Sequence, residues 1–185
     1  MKKIGIAGRL REAQLLFSND LKEGALTQLL IAVAGSARKR YPRDKYTDRK
    51  SFTAFLKDEM SNGRFWGPKL CLLVKMPCGG KSLWLEEILY EVLRCNLLHE
   101  AMLPATVKRE EGVQNKFVLE IDKNGVFVFG DTLLECLFRV VHNAMENTSE
   151  FAGKYLPPRE QSGVSIGSPG NPLKINTQKL DVPLP

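Results

Sequence analysis

Apolar residues recur at Leu26, Leu29, Leu30, Val33 and Ala37, the spacing of a single helix face. No other pattern in the chain constrains the fold as tightly. Asp20 with Glu23 three residues on resembles an N-terminal cap pair. Arg38, Lys39 and Arg40 fall in the last turn, where cations complement the helix dipole, and Pro42 stops the helix. Around this predicted helix others are expected. Arg9 to Phe17 forms an earlier one or an extension of it. Asp48 caps the next, with Phe52, Phe55, Leu56 and Met60 along one side and Asn62-Gly63 as its end. Ser82 opens a strongly periodic helix running to His99 or Glu100. Asp131 caps a last one, striped by Leu133, Leu134, Leu137, Val140, Val141 and Ala144.

Between the helices, Phe117–Ile121 and Val126–Phe129 read as two strands joined by Asp122-Lys123-Asn124-Gly125, because Asn-Gly tolerates positive φ. Leu70 to Val74 fits either a strand or a buried helical turn. The expected fold is therefore mainly α: one helical domain over 1–156 with a β-hairpin insert at about 116–129. An extended Pro/Gly/Ser-containing tail follows over 157–185. That tail holds six of the ten prolines and few large apolar side chains, so it lacks a core of its own.

Composition narrows the function classes. Hydrophobic residues make up 43% of the 185 residues, which excludes wholesale disorder. The best apolar run, Leu26 to Ala34, is too short and too interrupted to span a bilayer. Arg9, Arg11 and Glu12 follow Met1-Lys2-Lys3 so closely that no signal-peptide core forms. A cytoplasmic protein with no membrane association is expected. The four cysteines show no CxxC spacing and read as reduced thiols. The net charge of +6 is uneven: residues 1–64 carry +7 and residues 65–156 carry −2. The excess is densest from Arg38 to Lys50, where Arg38, Lys39, Arg40, Arg43 and Lys45 are candidate RNA-backbone contacts.

The helix from Ser82 to His99 carries the sharpest chemical signal. Its expected core stripe is Leu85, Ile88, Leu89 and Val92, and the same period leads on to Asn96 and His99. Two polar groups ending an apolar stripe need partners, since burying either unpaired costs about 1–3 kcal/mol. Arg94 lies five residues before His99. An imidazole can move protons at neutral pH, and a guanidinium can hold a phosphate and stabilise charge developing on it. These are the parts of a metal-independent ribonuclease, in which a base takes the 2′-hydroxyl proton and the alkoxide attacks phosphorus.

The run Arg94-Cys95-Asn96-Leu97-Leu98-His99, Arg-x4-His on a late helix of a mainly helical domain, resembles the HEPN superfamily (higher eukaryotes and prokaryotes nucleotide-binding). Residues 20–150 also resemble bacterial proteins with an Arg-Cys-x-x-x-His-Glu run. The family motif places Asn, Asp or His directly after the Arg, where this chain has Cys95, with Asn96 one place later. The resemblance implies a metal-independent endoribonuclease of phage defence or a toxin–antitoxin system. Arg94 and His99 would be the catalytic pair, with Asn96 orienting them. It also implies a homodimer acting on RNA, with an antitoxin or other protein as partner. On an ideal helix Arg94 and His99 project about 140° apart, so the helix must distort or two copies must pair. The alternative is a non-catalytic nucleotide- or protein-binding dimeric module.

Other motifs carry less. Cys78-Gly79-Gly80-Lys81-Ser82 ends like a phosphate loop, but Lys75 occupies the first glycine position. Cys95 and His99 lack a second ligand pair, so neither a metal nor a cofactor is expected. His142 follows Val140 and Val141 and reads as a packed or surface side chain.

Overall fold

The computed structural model describes residues 4–62, 75–110 and 118–151. The expected piece Leu70–Val74, Cys71, the first residues of the predicted hairpin, the domain end at 156 and the tail 157–185 lie outside the described residues.

The fold is mainly α, with two small sheets. Helix α2 (Lys22–Arg40) is its axis, and Leu26, Leu29, Leu30, Val33 and Ala37 are all buried as the spacing requires. Helices α1 (Ile6–Ser18), α3 (Asp48–Ser61) and α5 (Asp131–Asn143) pack around it. Small side chains widen the contact face: Ala25, Ala32 and Ala34 are buried as well. From α3 come Phe52, Phe55 and Leu56, and from α5 Leu133, Leu134, Leu137, Val140 and Val141. Among the described residues no helix is long and apolar enough to cross a membrane.

Helix boundaries differ from the expected caps in instructive ways. Leu21, not Asp20, precedes α2; Asp20 instead takes a left-handed φ of 61°. Thr47 caps α3, its hydroxyl accepting from the Lys50 amide at 3.3 Å. That frees Asp48 for other partners. Asp131 is the first residue of α5 and accepts from Arg109 at 3.1 Å.

Ser82 does not start a helix. Strands β1 (Met76–Cys78) and β2 (Lys81–Leu83) form a hairpin, with Gly79 and Gly80 at φ 57° and 75° as its turn. Two consecutive positive φ values are the signature of a tight hairpin turn that suits glycine. The would-be phosphate loop is thus an antiparallel ladder, with Lys81 opposite Cys78. Helix α4 follows over residues 85–99 in three pieces: an α turn (Leu85–Glu87), a π-helical stretch (Ile88–Arg94) and a closing α segment (Cys95–His99). Its start is fastened by the Trp84 amide donating to Glu87 at 3.0 Å.

The second predicted hairpin is present. Strand β4 (Leu119–Ile121) pairs antiparallel with β5 (Phe127–Phe129), and Asp122 accepts from the Asn124 and Val126 amides to shape the turn. Strand β3 (Val107–Arg109) adds in parallel to the other edge of β5. Central in this sheet, β5 is buried throughout.

Candidate functional site

The π-helical stretch decides where the residues of α4 point. A wider turn accommodates an additional residue per turn, so the side chains drift relative to a 3.6-residue period. The buried stripe runs Leu85, Ile88, Leu89, Leu93 and Leu97, while Val92 and Asn96 are only half-buried and His99 is exposed. This corrects the expected stripe, which took Val92, Asn96 and His99 toward the core. Asn96 satisfies itself locally, its amide donating to the Val92 carbonyl at 2.7 Å. His99 ends the helix, just before Ala101 at φ 55°, with Leu98 and Met102 exposed beside it.

Arg94 turns the other way, toward the first turn of α3. Its guanidinium lies 2.9 Å from Asp48 Oδ2, and its side chain is only 14% exposed. The Tyr90 and Phe52 rings flank it at 5.1 and 5.8 Å, positions that favour a cation. The other oxygen of Asp48 accepts from Arg38 at 2.5 Å. Burial, and next the Asp48 charge, push the Tyr90 phenol up. Two guanidiniums thus share one carboxylate, so the cluster keeps a net positive charge. Buried Arg94 Nε and Arg38 Nη1 have no hydrogen-bond partner among the described residues. Such a cluster suits a further anion.

The segment expected to contact RNA is largely used within the fold. Besides Arg38, Lys39 reaches Glu150 at 2.5 Å. Arg40 meets buried Glu59 at 2.5 Å and Glu146 at 3.0 Å, and lies over the Phe55 ring. Arg43 and Lys45 stand exposed on the turn after α2. On α5, His142 Nδ1 lies 3.1 Å from Asn143 Oδ1, and its ring is 5.0 Å from that of Phe151. Among the described residues no group of three His, Cys, Asp or Glu could hold a metal.

Sequence reasoning found Arg94 and His99 but treated Asp48 only as a helix cap and passed over Tyr90. Tyr90 sits one helical turn before Arg94, so spacing along the helix could have found it. The pairing with Asp48 spans two helices and leaves no periodic trace.

No curated protein and no solved structure matches the chain. Residues 6–159, most of the chain and nearly all of the residues described above, match the family named Rv1289, and the chain therefore belongs to the Rv1289 family.

Proposed function

We propose that the chain is a cytoplasmic, metal-independent endoribonuclease that works as a homodimer, the reading that its Arg-x4-His run suggests by resemblance to the HEPN superfamily. The observation that carries it is a division of labour on one helix. Arg94 is clamped between two aromatic rings with an unused buried N–H, and His99 is exposed at the helix end. In a single chain these groups face different surroundings. Exposed Leu98 and Met102 beside His99 supply apolar area for a second copy to cover.

In this reaction His99 takes the proton of the 2′-hydroxyl, whose oxygen attacks the adjacent phosphorus. The 5′-oxygen leaves with a proton returned by an imidazolium, giving a cyclic phosphate and a free 5′-hydroxyl. Arg94 binds the phosphate and stabilises its developing charge, and Asn96 orients the His99 end of the helix. Arg43 and Lys45 attract RNA, while Arg38, Lys39 and Arg40 hold the fold. An antitoxin or other protein partner would cover the same surface around His99.

A second reading has its own support. The Arg94–Asp48 pair gives Arg94 a structural role, which favours a non-catalytic nucleotide- or protein-binding dimer. Incubating wild type, Arg94→Ala and His99→Ala with RNA in EDTA separates the two. Cleavage by wild type alone is expected. Equal cleavage by all three, or by none, refutes the assigned site. Thermal melting of the variants distinguishes lost chemistry from lost folding.

A further inference from the structure

Helix α3 and the start of α4 line an open groove of about 360 Å³. Lys50, Thr53 and Lys57 line it from α3, Glu86 from α4, and Tyr46 from the loop before α3. Positions 50, 53 and 57 share one face of α3, so Lys50 and Lys57 stand two turns, about 10 Å, apart along its axis.

Glu86 is the unusual member. It is only 8% exposed, yet apart from its own backbone N–H its carboxyl has no hydrogen-bond or ion-pair partner among the described residues. The carboxyl oxygens themselves reach the solvent of the groove, so this acceptor is open to a ligand. Burial, with Glu87 adding to it, pushes this carboxyl up, and Lys57 partly offsets the shift. Glu87 beside it is already committed, to the Trp84 amide at 3.0 Å and to Arg49 at 3.2 Å. Thr53 is spent on the Arg49 carbonyl at 2.9 Å.

The groove therefore offers one solvent-reaching carboxylate in its wall and two exposed ammonium donors, one on each side of Thr53. A lone cation is disfavoured by the two lysines and a lone anion by Glu86. A ligand satisfying all three carries adjacent donors and an acceptor at one end and an anion at the other. Among common metabolites with an aromatic body for Tyr46, guanine fits best. Its N1–H and N2–H point the same way and can engage both oxygens of a carboxylate, with O6 beside them as an acceptor. Adenine and cytosine place a ring-nitrogen lone pair next to their amino group, and that lone pair would face the carboxylate.

We propose that this groove is a guanine-nucleotide site, in which Glu86 accepts from N1–H and N2–H of the base, Lys57 donates to O6 and Lys50 holds the phosphate. The ring of Tyr46 closes one side. The same chemistry is presented by free guanosine monophosphate and by an unpaired guanosine in RNA.

Titration calorimetry on the full chain tests this with guanosine monophosphate, adenosine monophosphate, and single-stranded tetranucleotides with or without guanine. Saturable binding of guanosine monophosphate with at least about tenfold preference over adenosine monophosphate is expected. Glu86→Gln should abolish the preference without lowering the melting temperature, because no side-chain partner of the Glu86 carboxyl is lost among the described residues. Lys50→Ala should weaken both nucleotides alike and keep the preference. If only the guanine-containing tetranucleotide binds with this Glu86-dependent discrimination, the source is RNA; if only the mononucleotide does, it is the free nucleotide. No saturable guanine binding in either form, or a preference unchanged in Glu86→Gln, overturns the proposal. The readout is binding, so it runs equally well in His99→Ala, and its failure leaves the cleavage proposal to its own test.

Discussion

The Asp48–Arg94 contact makes a quantitative demand on the protein. Asp48 is the only described counter-charge to Arg94 and also serves Arg38. Two unit charges about 4 Å apart in surroundings of effective dielectric ~20 attract by about 4 kcal/mol. Desolvating a guanidinium that is 14% exposed removes much of this. A net coupling of about 1–2 kcal/mol remains, above the usual range for exposed pairs. Asp48→Asn, which strips two guanidiniums of their shared partner, should cost about 2–4 kcal/mol. Arg94→Met keeps much of the apolar stem between Tyr90 and Phe52 and should cost about 1–3 kcal/mol. Urea denaturation of wild type, both single variants and the double variant gives the coupling directly. It should weaken only in part at high salt, because Arg94 is 14% and Asp48 32% exposed. A coupling below about 0.5 kcal/mol would show that α3 and α4 are not joined by this charge pair and refute the reasoning.

Two further outcomes are expected elsewhere in the helical core. Asn147 is fully buried and donates to Ser36 at 2.7 Å and to the Val141 carbonyl at 2.8 Å. Asn147→Ala should therefore cost about 2–4 kcal/mol in chemical denaturation, while a loss under about 1 kcal/mol would mean those bonds contribute little. Tyr41 donates to the Asp58 carboxylate, and this bond, with burial, pushes its phenol up to about 12 from 10.0. Because the folded value is the higher one, the stabilisation is complete below pH 10 and disappears as pH rises through about 12. Ultraviolet titration should show a late tyrosine component that Asp58→Asn brings back toward 10; a titration curve unchanged by Asp58→Asn would contradict this.

The legible parts of the fold were those governed by an undisturbed period. The α2 stripe, the Phe52, Phe55 and Leu56 face of α3, and the α5 stripe are buried as their spacing requires. So was the hairpin turn, where Asn124-Gly125 and the Asp122 carboxylate act locally. The misreadings arose where tertiary contacts override local preference. Ser82 has the look of a cap, but Gly79-Gly80 closes a hairpin first and pushes the helix start to Leu85. Strand β3 is three residues long and is stabilised by the β5 edge rather than by any pattern of its own. At the candidate site, Arg94 and His99 were visible as residue types at a spacing, but their directions were not. Direction depends on a π-helical stretch, which an assumed step of about 100° cannot register.

That stretch has a consequence for how sequences of this kind can vary. A turn that holds one residue too many can lose one and relax into an ordinary helix. A single-residue deletion within Ile88–Arg94 is thus one of the few interior helix deletions that chain geometry tolerates. It would relax the backbone there while leaving the residues beyond it, Asn96 and His99 included, near their present direction, because the wider turn had absorbed the extra residue; the same deletion in an unbroken α-helix would swing them by about 100°. In this helix, length and aim can be separated by one codon.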